Sequence, residues 1–409
     1  MGHKKRDAGL NNLDNFAINM WSLQMKKYLT VISSFIVMLC LGSMFAWSVI
    51  ARELANDFGF SLSKTQLVFG VFFTFFPITM LLAGKLERKT GPKLLFLISA
   101  ALFTGGYLLS SLSGGSYPLI LTGMGVLSGA GTGFGYLAAL TVPARWFPQR
   151  KGLITGIVVA GFGLAAVFFS FFAEHLLNSG KSVLETLKII GLSYGAIVTV
   201  MALFIYNPQG YGEEDRVKID YSFLRTRAYV KLLIGFFMGT FAGLLVIGSL
   251  TAIGAQNNIE NHILVLGVSG FALANFLGRI LWGFLSDYIG SNLSVLLALT
   301  FQAISIFLIG HITLTPSLYL LFAALIGFGF GSNFVLFARE TAQLFGLKNF
   351  GSIYPYVFLG YSLAGILGPV TGGLLYDLLN DFSLPTAIAA GMSLIGALVA
   401  NLFKKSQPV

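Results

Sequence analysis

Apolar residues run along this chain in stretches of about twenty or more, broken by short clusters of Gly, Pro and charged residues. A helix advances about 1.5 Å per residue, so runs of this length predict segments that cross a hydrocarbon core of about 30 Å. They fall near 28–51, 63–84, 94–113, 117–143, 152–177 and 187–206, and then near 229–253, 263–286, 292–312, 316–338, 351–376 and 384–403. A β-barrel is excluded, because its strands would alternate polar and apolar residues over about ten positions. The expected architecture is an all-α membrane protein with twelve transmembrane helices in two six-helix bundles, 28–206 and 229–403. A polar linker, 207–228, carries Glu213, Glu214, Asp215, Arg216 and Lys218 between them, and a tail, 404–409, follows. In the leading segment 1–27, Phe16, Ile18, Met20, Trp21 and Leu23 stand among polar residues. That pattern suits a short helix in the headgroup plane or an unstructured tail equally well.

Composition agrees with lipid as the solvent: 56% of residues are hydrophobic, 10% are charged, and the mean hydropathy is +0.81. The 49 Gly suit helices whose backbones approach closely where water cannot drive packing. The net charge of +10 is explained by position rather than by a nucleic-acid partner. With twelve spans both termini share one side. Arg52, Lys64, Lys181 and Lys188 fall on the opposite side, Arg279 falls within a helix, and the rest of the 26 Lys and Arg lie on the side of the termini. This bias predicts an integral protein of a plasma membrane, the inner membrane in a bacterium, with both termini cytoplasmic. The first apolar run is too long for a cleavable signal and is expected to stay as an anchor. A single cysteine, Cys40, rules out an intrachain disulfide and a cysteine-based metal centre.

The halves repeat. Gly84 to Gly91 reads GKLERKTG after helix 2, and Gly283 to Gly290 reads GFLSDYIG after helix 8. Gly129, Gly131 and Gly133 of helix 4 recur as Gly327, Gly329 and Gly331 of helix 10. The loop pattern resembles that of the major facilitator superfamily, in which a glycine, an acid four residues on and a second glycine three beyond it help latch the halves. Gly283, Asp287 and Gly290 match it in full; in the first half Arg88 takes the acid's place and Glu87 sits one position early. A tight turn that needs glycine backbones would account for the glycines too. GSMFAWS at the end of helix 1, YLAALTVPARWFPQRKGLITG between helices 4 and 5, and GRILWGFLSD in helix 8 resemble the oxalate/formate antiporters and the monocarboxylate porters.

Arg279 is the strongest chemical signal, since a charge within the bilayer costs about 2.5–3.5 kcal/mol on insertion scales. Its planar fork of donors suits a carboxylate; snorkelling to the nearby surface is the alternative. The resemblance implies that this arginine binds the substrate carboxylate. Asn275, one turn earlier, shares its face. Monocarboxylate porters carry a proton-coupling aspartate there, and Asn275 cannot titrate. The oxalate-type antiporters carry a lysine seven residues before a Gly-Pro pair in helix 11; counting back from Gly368 and Pro369 reaches Tyr361. Without that second cation, a monocarboxylate or a larger hydroxylated anion is favoured over oxalate. The resemblance further implies an aromatic cavity lined by Phe45, Tyr136, Phe162, Phe334 and Phe358, with Asn333 as another polar candidate. Glu87, Arg88, Asp287, Arg145, Arg339 and Glu340 are candidates for gating, although Glu340 with Lys348 also reads as a solvated loop pair. Glu174 and His175 read as an interfacial pair or, alternatively, a protonation switch.

No P-loop, dinucleotide fingerprint or His-Glu-x-x-His occurs, so neither an enzyme nor a cofactor is expected. The expected function is secondary transport of a small organic anion by a monomer in the lipid bilayer, with a coupling proton or a counter-anion as the further partner. Transport of a larger carboxylate such as a siderophore, transport of an amino acid, and a transporter-like sensor stay open.

Overall fold

A computed structural model describes residues 23–147, 151–208, 221–346 and 353–402. Twelve helices are long and apolar enough to span a membrane: α1 (Leu23–Phe58), α2 (Leu62–Glu87), α3 (Pro92–Ser111), α4 (Tyr117–Trp146), α5 (Ile154–Asn178) and α6 (Val183–Phe204), then α7 (Arg227–Gln256), α8 (Asn261–Ile289), α9 (Ser291–His311), α10 (Pro316–Phe345), α11 (Ile353–Leu379) and α12 (Ser383–Ala400). The leading residues 1–22, most of the linker (209–220), and the tail lie outside the described residues, as do Pro148, Arg150 and Lys348.

Each helix sorts its residues by helical period. On α8, Leu273, Leu277, Ile280 and Phe284 are exposed on the lipid side, while Phe271, Asn275, Gly278 and Trp282 are buried. Arg52, Glu53, Asn56 and Asp57 made the end of α1 read as loop, but the helix continues to Phe58. Leu54 supplies the reason: it is buried, so the polar residues form the outer face of an amphipathic turn that stops where Gly59 adopts φ +65°.

The repeat expected from the glycines is a packing repeat. A Cβ at Gly129 would lie 2.7 Å from the Phe72 carbonyl of α2, and one at Gly327 would collide with the Phe271 carbonyl of α8. Gly133 and Gly331 repeat this against the carbonyls of Phe76 and Asn275. Glycine is what lets α4 approach α2, and α10 approach α8, backbone to backbone. The loop glycines Gly91 (φ 78°, ψ 173°) and Gly290 (φ 82°, ψ 156°) share a conformation closed to other residues, and each ends its helix.

Between the halves, α2 packs on α11 and α5 packs on α8, a symmetric exchange, with α1 against α7. Most polar bonds between the halves lie on the face that carries Arg52 and Lys64; deeper in α2 and α11, Thr74 and Ser362 each donate to the other's carbonyl, at 3.1 and 2.6 Å. The Asp377 carboxylate of α11 accepts from the Leu62 and Ser63 amides at the start of α2, at 3.0 and 2.9 Å. Arg52 bonds Asn261, Gln66 donates to the Gly248 carbonyl (2.6 Å), and Thr251 donates to the Ser48 carbonyl (3.0 Å). Glu174 lies 3.9 Å from His262 of α8, so its partner is across the halves and not the adjacent His175. On the basic face, the ion pairs each stay within one half: Glu87–Arg145, Asp287–Arg339 and Lys231–Glu340. The conformation is therefore one held closed at the face opposite the basic loops.

Candidate functional site

Arg279 stands eight residues before Asp287, roughly 12 Å along the axis from that end of α8. Its Nε donates to Asn275 Oδ1 (3.3 Å), and its Nη1 reaches across the halves to the Val159 carbonyl of α5 (3.2 Å). The guanidinium carbon lies 4.5 Å from the centroid of the Phe334 ring on α10. No carboxylate is within ion-pair distance of it among the described residues. Arg279 is half-buried, although Asn275, Tyr136, Phe334 and Tyr361 around it are buried. Gly163 of α5 faces the pair: a Cβ there would lie in ordinary contact, 3.8 Å from Arg279 Cζ and 3.7 Å from Asn275 Nδ2.

The hydrogen-bond inventory is unbalanced there. A guanidinium has five N–H donors, and two bonds are made. Asn275 Nδ2 and the Tyr361 hydroxyl are both buried without a partner. Tyr136, Tyr354 and Tyr361 lie within electrostatic range of Arg279. A group with spare acceptors and negative charge, such as a carboxylate, is what this set of donors lacks.

Aromatic rings from both halves enclose the donors. Tyr136 packs on Phe76 (4.9 Å) and on Phe162 (5.1 Å), and Phe45 packs on Phe162 (5.4 Å). Across the halves, Phe73 meets Tyr361 (5.3 Å), Phe76 meets Phe358 (6.0 Å), and Phe45 meets Phe330 (6.1 Å). Two irregular turns aim these rings. The helix of α1 tightens to a 3₁₀ turn over Gly42–Ala46, where a Cβ on Gly42 would strike the Phe162 carbonyl. A turn at Phe358 interrupts α11.

The structure thus brings together Arg279, Asn275, Tyr136, Tyr361, Phe45, Phe162, Phe334 and Phe358. It adds Phe73, Phe76, Phe330, Tyr354 and Val159, which the sequence reading missed. Phe72, Phe73, Phe75 and Phe76 form one run, so a ring cluster on α2 was visible without its direction. Val159 contributes a carbonyl, which no side-chain pattern reveals.

Two expectations are corrected. Asn333 is turned away from the rings: its Nδ2 donates to Gln302 Oε1 and to the Phe330 carbonyl, both at 3.1 Å, which ties α10 to α9. Glu340 is not in a solvated loop pair; it is buried and ion-paired to Lys231 of α7 at 2.8 Å. Both belong to the face of α10 that packs into the second half. Glu87, in the last turns of the helix that runs to Thr90 rather than in a loop, forms a two-pronged pair with Arg145, one prong at 2.9 Å, and Arg145 also reaches Asn207 (2.8 Å). Asp287 and Arg339 pair at the equivalent place in the second half. The side chain of Arg88 lies outside the described residues.

Two six-helix bundles meeting around a central arginine define a membrane transporter of the two-bundle type. The chain belongs to the Major Facilitator Superfamily, whose profile matches residues 31–258 and 232–409. It is 28% identical over 355 residues to the MFS-type transporter YhjX of Escherichia coli K12, covering 84% of this chain and 87% of that protein. It is 26% identical over 361 residues to the oxalate:formate antiporter of Oxalobacter formigenes, covering 86% and 85%. The apicoplast pyruvate carrier 1 of Toxoplasma gondii is 24% identical over 375 residues, covering 75% and 68%.

Proposed function

We propose that this protein is a secondary active transporter of a small organic anion, a monocarboxylate or related carboxylate, working by alternating access around Arg279. The observation that carries the reading is an arginine without a carboxylate partner among the described residues, ringed by aromatics from both halves and by unmet donors. A bound carboxylate would accept from the free edge of the guanidinium, from Asn275 Nδ2 and from the Tyr361 hydroxyl, while the rings of Phe45, Phe76, Phe162 and Phe358 would hold its apolar body. The names of two relatives, an oxalate:formate antiporter and a pyruvate carrier, support a carboxylate. Tyr361 supplies a hydroxyl and no second positive charge, which favours a single carboxylate over a compact dianion.

In this reading the halves, residues 28–206 and 229–403, rock about the Arg279 level. The bonds of Asp377, Arg52, Gln66, Thr251 and Glu174 are those that must part for the opposite face to open. The basic face lies in the cytoplasm, and the protein works as a monomer without a covalent step. Asn275 removes one route for a coupling proton, so exchange for a counter-anion fits the site better. The test is uptake of labelled formate, pyruvate, lactate and oxalate into proteoliposomes, with and without counter-anion inside. Arg279→Ala and Arg279→Lys are expected to stop uptake while the unfolding temperature is retained, because an ammonium lacks the planar fork. Uptake at the wild-type rate in Arg279→Ala would sink the assignment, and saturable binding without flux would turn it to a sensor.

A further inference from the structure

Among the described residues, a cluster of positive charge without a use in transport lies in a groove on the basic face of the first half. The groove, of about 290 Å³, is lined by Lys26, Thr90, Lys93, Trp146, Tyr206 and Asn207 among others. Lys26 comes from the start of α1 and Lys93 from the start of α3, yet both ammonium groups lie over one ring, that of Tyr206, at 5.7 and 4.9 Å. Lys27 lies 4.1 Å over the neighbouring Phe147 ring. No carboxylate lies within 4 Å of these lysines among the described residues. Two like charges drawn to one ring repel each other, and the ring's quadrupole offsets only part of that.

The platform under them is built. Trp146 Nε1 donates to the Tyr206 carbonyl at 2.7 Å, the Tyr206 amide donates to Thr30 Oγ1 at 3.1 Å, and Asn207 is held by Arg145. Gly91 and Pro92 bring the uncapped amino end of α3 into the same groove, adding the positive end of a twenty-residue helix. Lys26 and Lys93 are exposed, and Trp146, Phe147 and Tyr206 are half-buried at the ends of spanning helices, where headgroups lie.

We propose that this groove binds a phosphate ester anion, with the headgroup of an anionic phospholipid as its occupant. The phosphate lies between the Lys26 and Lys93 ammonium groups over the Tyr206 ring, and the acyl chains run down the lipid face of the first half. The site is distinct from Arg279 and independent of what the protein carries.

The full-length protein in zwitterionic detergent is titrated with phosphatidylglycerol, and bound lipid is read by native mass spectrometry. An interfacial lysine contributes about a fivefold change in binding, so Lys93→Gln is expected to lose about fivefold and Lys26→Gln with Lys93→Gln about 25-fold. Lys85→Gln removes an exposed charge from the same face outside the groove and is expected to change binding less than twofold. Glycerol 3-phosphate in excess distinguishes the sources: failure to displace the lipid assigns a membrane headgroup, and displacement assigns a soluble phosphate ester at the same residues. Wild-type binding in the double variant overturns the proposal, as does an equal loss in Lys85→Gln, which would mean diffuse attraction to a basic face. Should the double variant unfold, Lys93→Gln alone decides, since its side chain is exposed.

Discussion

Asp377 offers the sharpest test of how the closed face is held. Its carboxylate accepts two amides at the start of α2 in the other half, at 3.0 and 2.9 Å, where the helix also presents its positive end. These bonds exist only while the face is closed, so weakening them lowers the closed-to-open ratio. Asp377→Asn keeps one acceptor oxygen but loses the charge; with the site exposed to solvent, about 1 kcal/mol is a fair discount of the usual charge-assisted bond, or roughly fivefold in population. Asp377→Ala loses both bonds, about 2 kcal/mol and roughly 30-fold. Val49 is a suitable reporter, being 6% exposed and lining a cavity of about 150 Å³ between the halves with Arg52, Glu174 and Asn261. In a Cys40→Ser background with Val49→Cys, the rate of alkylation by a polar maleimide in detergent reports the open fraction. The expected order is Asp377→Ala above Asp377→Asn above Asp377, in about those ratios. Equal rates in all three, at an unchanged unfolding temperature, would refute the latch.

Three further outcomes follow from packing and charge. Tyr361→Phe removes a buried hydroxyl without a partner, so the unfolding temperature should hold or rise, while apparent affinity for the transported carboxylate falls by about 10-fold or more in an uptake or thermal-shift titration. Gly331→Ala drives a methyl against the Asn275 carbonyl and toward the Arg279 amide (3.1 Å) and should cost about 1–3 kcal/mol of stability. Gly270→Ala, with nothing within 4 Å, should be neutral or stabilising in the same unfolding assay. Glu340→Gln removes the carboxylate that pairs with the buried Lys231, a loss of about 3–5 kcal/mol; Lys231→Met combined with Glu340→Leu should restore most of it in thermal unfolding.

The length of the apolar runs determined twelve spans, because in lipid the polar N–H and C=O groups must be satisfied within the segment and runs this long do so as helices, and the repeated motifs marked the two halves. The glycine repeats were legible for a similar reason: only a missing Cβ allows α4 on α2 and α10 on α8. Arg279 stood out since charge in such a run is rare, and helical spacing put Asn275 on its face. What lay beyond sequence was direction and partnership. Asn333 and Phe334 are adjacent, yet one ties helices together and the other lies under the guanidinium, because successive residues on a helix point about 100° apart and only the neighbours decide which face is the cavity. Glu340 looked solvated until Lys231, 109 positions away, was packed against it. The Val159 carbonyl, the turns at Gly42–Ala46 and Phe358, and the grip of Asp377 on α2 arise where two halves meet. Spans are a property of local chain and lipid, which one sequence specifies; the site is a property of surfaces brought together, which only the tertiary structure decides.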